Sequence, residues 1–218
     1  VEKTLPTSAE IRARARASLA GNWTSAVLHF LLYYVVIWAL GLLAYIPIIG
    51  WIAIILVTGA LTYGLFSFYL TMSRNQAPST GELFSGFEKF VPTFILYIVM
   101  CIFIFLWSLL LIVPGIIAAI RYSQAYYILR DNPNIGALEA IQRSKELMEG
   151  NKGRYFVLYL SFIGWYILGI ISCGIGLLWV APYFYTALGH FHDDLRGRYM
   201  SYSSPPPPPS PYGGQQFN

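Results

Sequence analysis

Apolar residues in this chain gather into six long runs, at about residues 24–45, 50–72, 91–112, 115–130, 155–172 and 175–192, separated by short polar stretches. Most of these runs reach the roughly 17 to 25 residues that a helix needs to cross hydrocarbon. The pattern predicts an all-α, polytopic membrane bundle of about six transmembrane helices. The fourth and sixth runs are the shortest and are interrupted by Arg121 and His190, so a five-span or re-entrant arrangement stays open beside the six-span one.

The stretches that lead into the odd-numbered runs resemble one another: "ARASLAGNWTSAVLHF" (15–30), "TGELFSGFEKFVPTFIL" (80–96) and "RSKELMEGNKGRYFVLYL" (143–160). Each reads as a short helix, then glycine, then a span. The following tips, "IPIIGW" (46–51), "IVPGI" (112–116) and "CGIGL" (173–177), carry glycine in apolar surroundings, so the spans pair naturally into three hairpins.

The short helices read as amphipathic and interfacial. In the third, Ala137, Leu138, Ile141, Ser144 and Met148 share a face opposite Glu139, Arg143 and Glu146, and Asn132-Pro133 suits its start. In the second, Ser79 and Glu82 have capping-box spacing ahead of Leu83, Phe87 and Phe90. In the first, Ile11, Ala15 and Leu19 form a thin stripe beside Arg12 and Arg16.

Composition agrees with a membrane setting: 56% of residues are hydrophobic, only 11% are charged, and mean hydropathy is +0.56, against about a quarter charged in soluble proteins. The residues before Thr24 carry Arg12, Arg14 and Arg16 in a helical pattern rather than reading as a cleavable leader. All ten acidic residues, and all of the fourteen Lys and Arg except Arg121, fall in segments 1–23, 73–90, 130–154 and 193–218. Two spans between neighbouring charged segments would place all four on one face, which the positive-inside rule assigns to the cytoplasm together with both termini. The net charge of +4 then describes a basic rim facing anionic headgroups. Basic residues scattered among acids argue against nucleic acid as a partner. The integral membrane domain is expected over 1–198, and the Pro-rich segment 199–218 reads as a disordered cytoplasmic tail, with Pro205 to Pro211 as a conceivable ligand for a proline-recognising partner. Cys101 and Cys173 sit in different runs, which disfavours a disulfide and suggests small buried hydrophobes.

The chain offers little reaction chemistry. Arg121 lies about 10 Å along a helix from Pro114, where an unpartnered charge costs roughly 2.5 to 3.5 kcal/mol or more. Either it caps loose carbonyls near an interface or it receives an anion. Tyr122, Tyr126, Tyr127, Tyr183 and Tyr185 either line a polar cavity or belong to an aromatic belt. His190, His192, Asp193 and Asp194 contain four potential metal ligands, but the two histidines point about 200° apart on a helix and nothing completes the set. No metal or other cofactor is expected. No nucleophile elbow, phosphate loop or zinc-protease helix is present.

The stretch "IVPGIIAAIRYSQAYYILRDNPNIGALEAIQRSKELMEGNKGRYFVLYLSFIGW" (112–165), followed by "GIGLLWVAPYFYTA" (174–187), resembles the bacterial integral membrane family known as domain of unknown function 975. The resemblance extends over about residues 8–199 and implies a multi-span protein of a bacterial cytoplasmic membrane. Arg121, Tyr122, Ser123, Asp131, Pro133, Ser144, Gly150, Lys152, Trp165, Pro182 and Tyr183 match its pattern, which carries no catalytic role with it. The expectation is a non-enzymatic module that binds anionic membrane lipids or a membrane-protein partner through Arg121, Tyr122, Lys152, Arg154 and Tyr183. A small-solute transporter or lipid flippase is the alternative, and a lipid-modifying enzyme the third reading.

Overall fold

A computed structural model describes residues 5–46 and 48–203, with side chains through Gly197. The first helix, α1 (Ser8–Leu19), begins at a reciprocal capping box. The Thr7 hydroxyl accepts from the Glu10 backbone N–H, and the Glu10 carboxylate accepts from the Thr7 N–H at 2.6 Å. Its buried stripe is Ile11, Ala15, Ser18 and Leu19.

Gly21, at φ +81°, turns the chain through Asn22 into α2 (Trp23–Leu42), which a short 3-10 turn (Leu43–Tyr45) extends. The same device recurs later: Gly150, at φ +72°, and Asn151 lead into another span. The matched Gly-Asn pairs are thus matched turns, each using glycine where the left-handed region penalises any Cβ.

Next come α3 (Ile49–Ser73), a 3-10 turn (Thr80–Phe84), α4 (Ser85–Glu88), α5 (Phe90–Leu110), α6 (Ile112–Tyr122) and α7 (Ala125–Asp131). They are followed by α8 (Ala137–Leu147), α9 (Lys152–Leu160), α10 (Ile163–Ile171) and α11 (Leu177–Ser203). There is no strand among the described residues. Four segments are long and apolar enough to cross a membrane: Trp23–Tyr45, Ile49–Ser73, Phe90–Leu110 and Lys152–Ile171.

The other two runs behave differently. Residues 112–131 are broken where the Ser123 hydroxyl donates back to the Ile120 carbonyl at 2.8 Å and the Gln124 side chain turns toward Ser123 and His192. This leaves α6 at 11 residues, about 16 Å of helix. α11 is long, but His190, His192, Asp193 and Asp194 dilute its apolar content, and Pro182 sits inside it.

α3 is the axis of the fold, packing against α1, α2, α4, α5, α7 and α11. Nearly every residue from Gly59 to Ser73 is buried, whereas Ile49, Trp51, Ile52 and Ile55 at its start are exposed. The adjacent tips are exposed as well: Ile46, Ile48, Leu109 to Val113 and Ile171. One core cluster joins α1, α3, α9 and α11 through Leu19, Phe68, Leu70, Leu158, Phe184 and Phe191. A second joins α5 to α8 through Leu96, Tyr122, Leu129 and Ile141.

The polar loop after α3 is pressed onto that helix at two glycines. A Cβ on Gly64 would stand 1.9 Å from the Leu83 carbonyl oxygen, and one on Gly86 would stand 2.1 Å from that of Ala60.

Several local expectations change. Ser79 precedes the 3-10 turn without a side-chain cap, because the Glu82 carboxylate is held by Ser67, Thr71 and Arg130 instead. α8 starts at Ala137 rather than at Pro133, and Leu138 is 63% exposed, outside the buried stripe of Ala137, Ala140, Ile141 and Ser144. Phe87 is exposed. Cys101 and Cys173 are free thiols, as expected, but exposed rather than buried. α5 turns into α6 through a single extended residue, Leu111, before the Pro-Gly pair rather than at it. The backbone of α11 continues to Ser203, past the expected boundary at 198. Pro47 and the Pro-rich segment 204–218 lie outside the described residues.

Candidate functional site

Residues from all four charged segments converge where α3 and α7 end beside α11. Arg74, the residue that closes α3, forks onto Asp131 with two bonds of 2.8 Å, and its Nε and Nη2 also reach Asp193 at 2.6 to 3.1 Å. Arg196 adds a 2.8 Å bond to Asp131. The His192 ring lies between Asp131, at 3.4 Å, and the Gln124 side-chain oxygen, at 3.1 Å. Beside this knot the Arg130 Nε donates to Ser67 at 2.7 Å, while its Nη2 donates to Thr71 and to Glu82. Arg14 binds Asp194 through both terminal guanidinium nitrogens, tying α1 to α11.

The knot is electrically balanced. Arg74, Arg130 and Arg196 offset Glu82, Asp131 and Asp193 one for one, with forked geometry that suits a desolvated site. Such an arrangement fastens elements together and leaves no net charge for a ligand.

Burial alone would push the Asp131 carboxyl up, but hydrogen bonds from His192 and Arg74 outweigh it and hold the group well below the usual carboxylate range. A depressed folded value means that the carboxylate stabilises the fold above its unfolded value of about 3.9. That stabilisation is lost as pH falls from there through the folded value. Denaturation midpoints should therefore stay level down to about pH 4 and drop below it, and Asp131→Asn should flatten the drop.

The four potential metal ligands of α11 diverge. His190 meets the Ser18 hydroxyl at 3.0 Å, His192 faces Asp131, Asp193 takes Arg74, and Asp194 takes Arg14. Among the described residues no three His, Cys, Asp or Glu side chains gather as a metal site.

The five candidate contacts come from three elements: Arg121 and Tyr122 from α6, Lys152 and Arg154 from α9, and Tyr183 from α11. Arg121 lies in the last turn of α6; its backbone carbonyl accepts from Ser144 at 2.7 Å, and its Nε is buried with no hydrogen-bond partner. Tyr122 is packed beside Phe103, with the Lys145 ammonium 5.7 Å from its ring centre. Lys152 opens α9, and Arg154 two residues on donates to the Pro6 carbonyl at 2.9 Å and lies over the Phe191 ring. Tyr183, in α11, is buried and accepts a 3.1 Å bond from Arg16.

Arg12 and Arg16 lie one turn apart on α1, and each meets a neutral acceptor on another element. The Arg12 Nη1 donates to the Ser161 carbonyl at 2.7 Å, and Arg16 meets the Tyr183 hydroxyl. The i, i+4 spacing that sets both on one face of α1 was visible in the sequence. Their reach to α9 and α11 was not. The same holds for Arg74, Asp131, Arg130 and Glu82, whose partners come from distant segments.

The model of the family described as "Protein of unknown function (DUF975)" matches residues 5–116 and 109–199. The chain belongs to this family. No curated protein and no solved structure matches it. For a DUF975 member the description assigns no activity, so function has to be argued from the residues themselves. The matched stretches together contain α1 to α10 and all of α11 up to residue 199, and hence the whole charge knot.

Proposed function

We propose that this DUF975 protein is a six-span protein of the bacterial cytoplasmic membrane, built as three hairpins with both termini cytoplasmic. In this reading it is a non-enzymatic module whose charged face binds anionic lipid headgroups or a membrane-protein partner. The four membrane-length helices support insertion, and the side-by-side packing of α2 with α3, α5 with α6 and α10 with α11 supports the hairpins.

The observation that carries lipid binding is the buried Arg121 Nε without a partner, in the last turn of an apolar helix. A buried donor of this kind attracts an acceptor, and a lipid phosphate supplies one at membrane depth. Lys152 and Arg154, at the start of a span, extend the same basic face.

Native mass spectrometry of the purified protein tests the reading. The wild type should keep an anionic lipid through delipidation, and Arg121→Leu should keep less of it. Equal retention by both would make Arg121 a structural cap. No retained anionic lipid on the wild type would end the lipid reading.

A solute carrier is the second reading, favoured by other buried polar atoms without partners: the Tyr126 and Tyr127 hydroxyls and both His29 ring nitrogens. It requires solute flux in proteoliposomes that Tyr126→Phe with Tyr127→Phe abolishes.

A further inference from the structure

The notch between α1 and the break that separates α9 from α10 holds the chemistry of a second anion site. α9 ends at Leu160 and α10 begins at Ile163, so Ser161 lies near the middle of the membrane-length segment Lys152–Ile171. Nine residues of helix separate it from Lys152, or about 14 Å. Arg12 donates to its carbonyl at 2.7 Å. One turn along α1, Arg16 reaches the Tyr183 hydroxyl at 3.1 Å, with its guanidinium carbon 5.9 Å from that ring.

Two guanidinium groups thus stand on one helix face beside apolar spans. The acids that might have neutralised them are engaged elsewhere: Asp194 with Arg14, Asp131 and Asp193 with Arg74, Glu82 with Arg130. Each arginine is seen here with a single neutral acceptor, so most of its five donors are open to another.

The surroundings decide what kind of anion fits. Beyond Tyr183, the Trp165 ring meets it edge-on at 6.1 Å, and Trp165, Leu168 and Ile171 continue along α10 as an exposed apolar strip at helical spacing. Paired arginines at one end of an exposed apolar strip match a phosphate at the head of acyl chains. Arg suits that phosphate because its planar fork engages two oxygens at once.

We infer that Arg12 and Arg16, with Tyr183, form a phosphate site for an anionic phospholipid at the α9–α10 break, the acyl chains lying along Trp165, Leu168 and Ile171. This site rests on the lipid-binding reading above but uses different residues, and it can fail while that reading stands.

The test places the full chain in nanodiscs of phosphatidylcholine doped with phosphatidylglycerol and counts, by native mass spectrometry, the phosphatidylglycerol retained on release. Arg12→Gln with Arg16→Gln should weaken retention about thirtyfold, the product of two basic side chains at a lipid surface. Lys89→Gln with Arg143→Gln removes the same charge elsewhere and should leave retention near wild type. Equal loss in both doubles would reduce the effect to overall charge and overturn the site. Wild-type retention in the first double would overturn it as well, leaving Arg121 as the lipid contact. If the double variant does not fold, Arg16→Gln alone decides, since it gives up a single bond to a hydroxyl; about fivefold weaker retention is expected, and an unchanged value overturns the site. Inorganic phosphate at millimolar concentration should not displace the lipid; displacement would assign the notch to free phosphate. A wild type that retains no phosphatidylglycerol ends both this site and the reading beneath it.

Discussion

Arg74→Leu should lower the stability of the fold by about 3 to 5 kcal/mol, the usual cost of removing one partner from a buried ion pair. The effect is large because Arg74 serves two carboxylates at once, and Asp131, 5% exposed, cannot recover water when the guanidinium is gone. Asp131→Asn should cost a comparable amount, since it takes the carboxylate from Arg196 and the His192 ring and leaves Arg74 with Asp193 alone. The double variant should cost clearly less than the sum of the two, because both remove one shared network. Denaturant titration of the detergent-solubilised protein reads all three. Losses under 1 kcal/mol would show the knot to be loosely solvated, and simple addition would show its members to act independently.

Gly64→Ala is the second large effect, about 1 to 3 kcal/mol or more from forced backbone movement. The obstacle is the Leu83 carbonyl, 1.9 Å from where the new Cβ must stand, and it is main chain rather than a flexible side-chain end. Moving Leu83 would also drag Glu82, and with it the bonds to Ser67, Thr71 and Arg130. Gly153→Ala provides the contrast: nothing lies within 4 Å of a Cβ there, and the residue is helical. That change should be neutral or stabilising by up to about 1 kcal/mol. Melting temperatures of the two variants, set beside wild type, would show whether close approach or mere loss of glycine matters.

The sequence spoke most clearly where one-dimensional rules operate. Four of the six apolar runs return as membrane-length helices, and the glycine-punctuated helices before the odd-numbered runs predicted α1, the Thr80–Glu88 turn region and α8, because period and punctuation are local properties. The break in residues 112–131 escaped that reading. Ser123 and Gln124 are unremarkable polar residues until α11 supplies His192 as a partner for Gln124. Glu82 was misread for a related reason: its spacing from Ser79 fits a cap, but three polar groups from α3 and α7 compete for the carboxylate and win.

Arg121 drew attention as the sole charge in an apolar run, and its buried, unpartnered Nε keeps it of interest. Arg12 and Arg16 were visible only as the polar flank of a stripe. Their partners sit 149 and 167 residues away, and no periodicity encodes such a distance. The charge knot was hidden for the same reason, since Arg14 and Asp194 are separated by 180 residues.

The uneven burial of α3 bears on how the protein lives in a bilayer. From Gly59 to Ser73 the helix is gripped on every side and anchored through Arg74, whereas from Ile49 to Ile55 most of its large side chains face outward. Inserted as proposed, the helix would present Ile49, Trp51, Ile52 and Ile55 to lipid while Gly59 to Ser73 stay shielded within the protein. Apolar exchanges should then be tolerated at the first group, where any hydrocarbon surface serves, and costly at the second, where shape is fixed by neighbours.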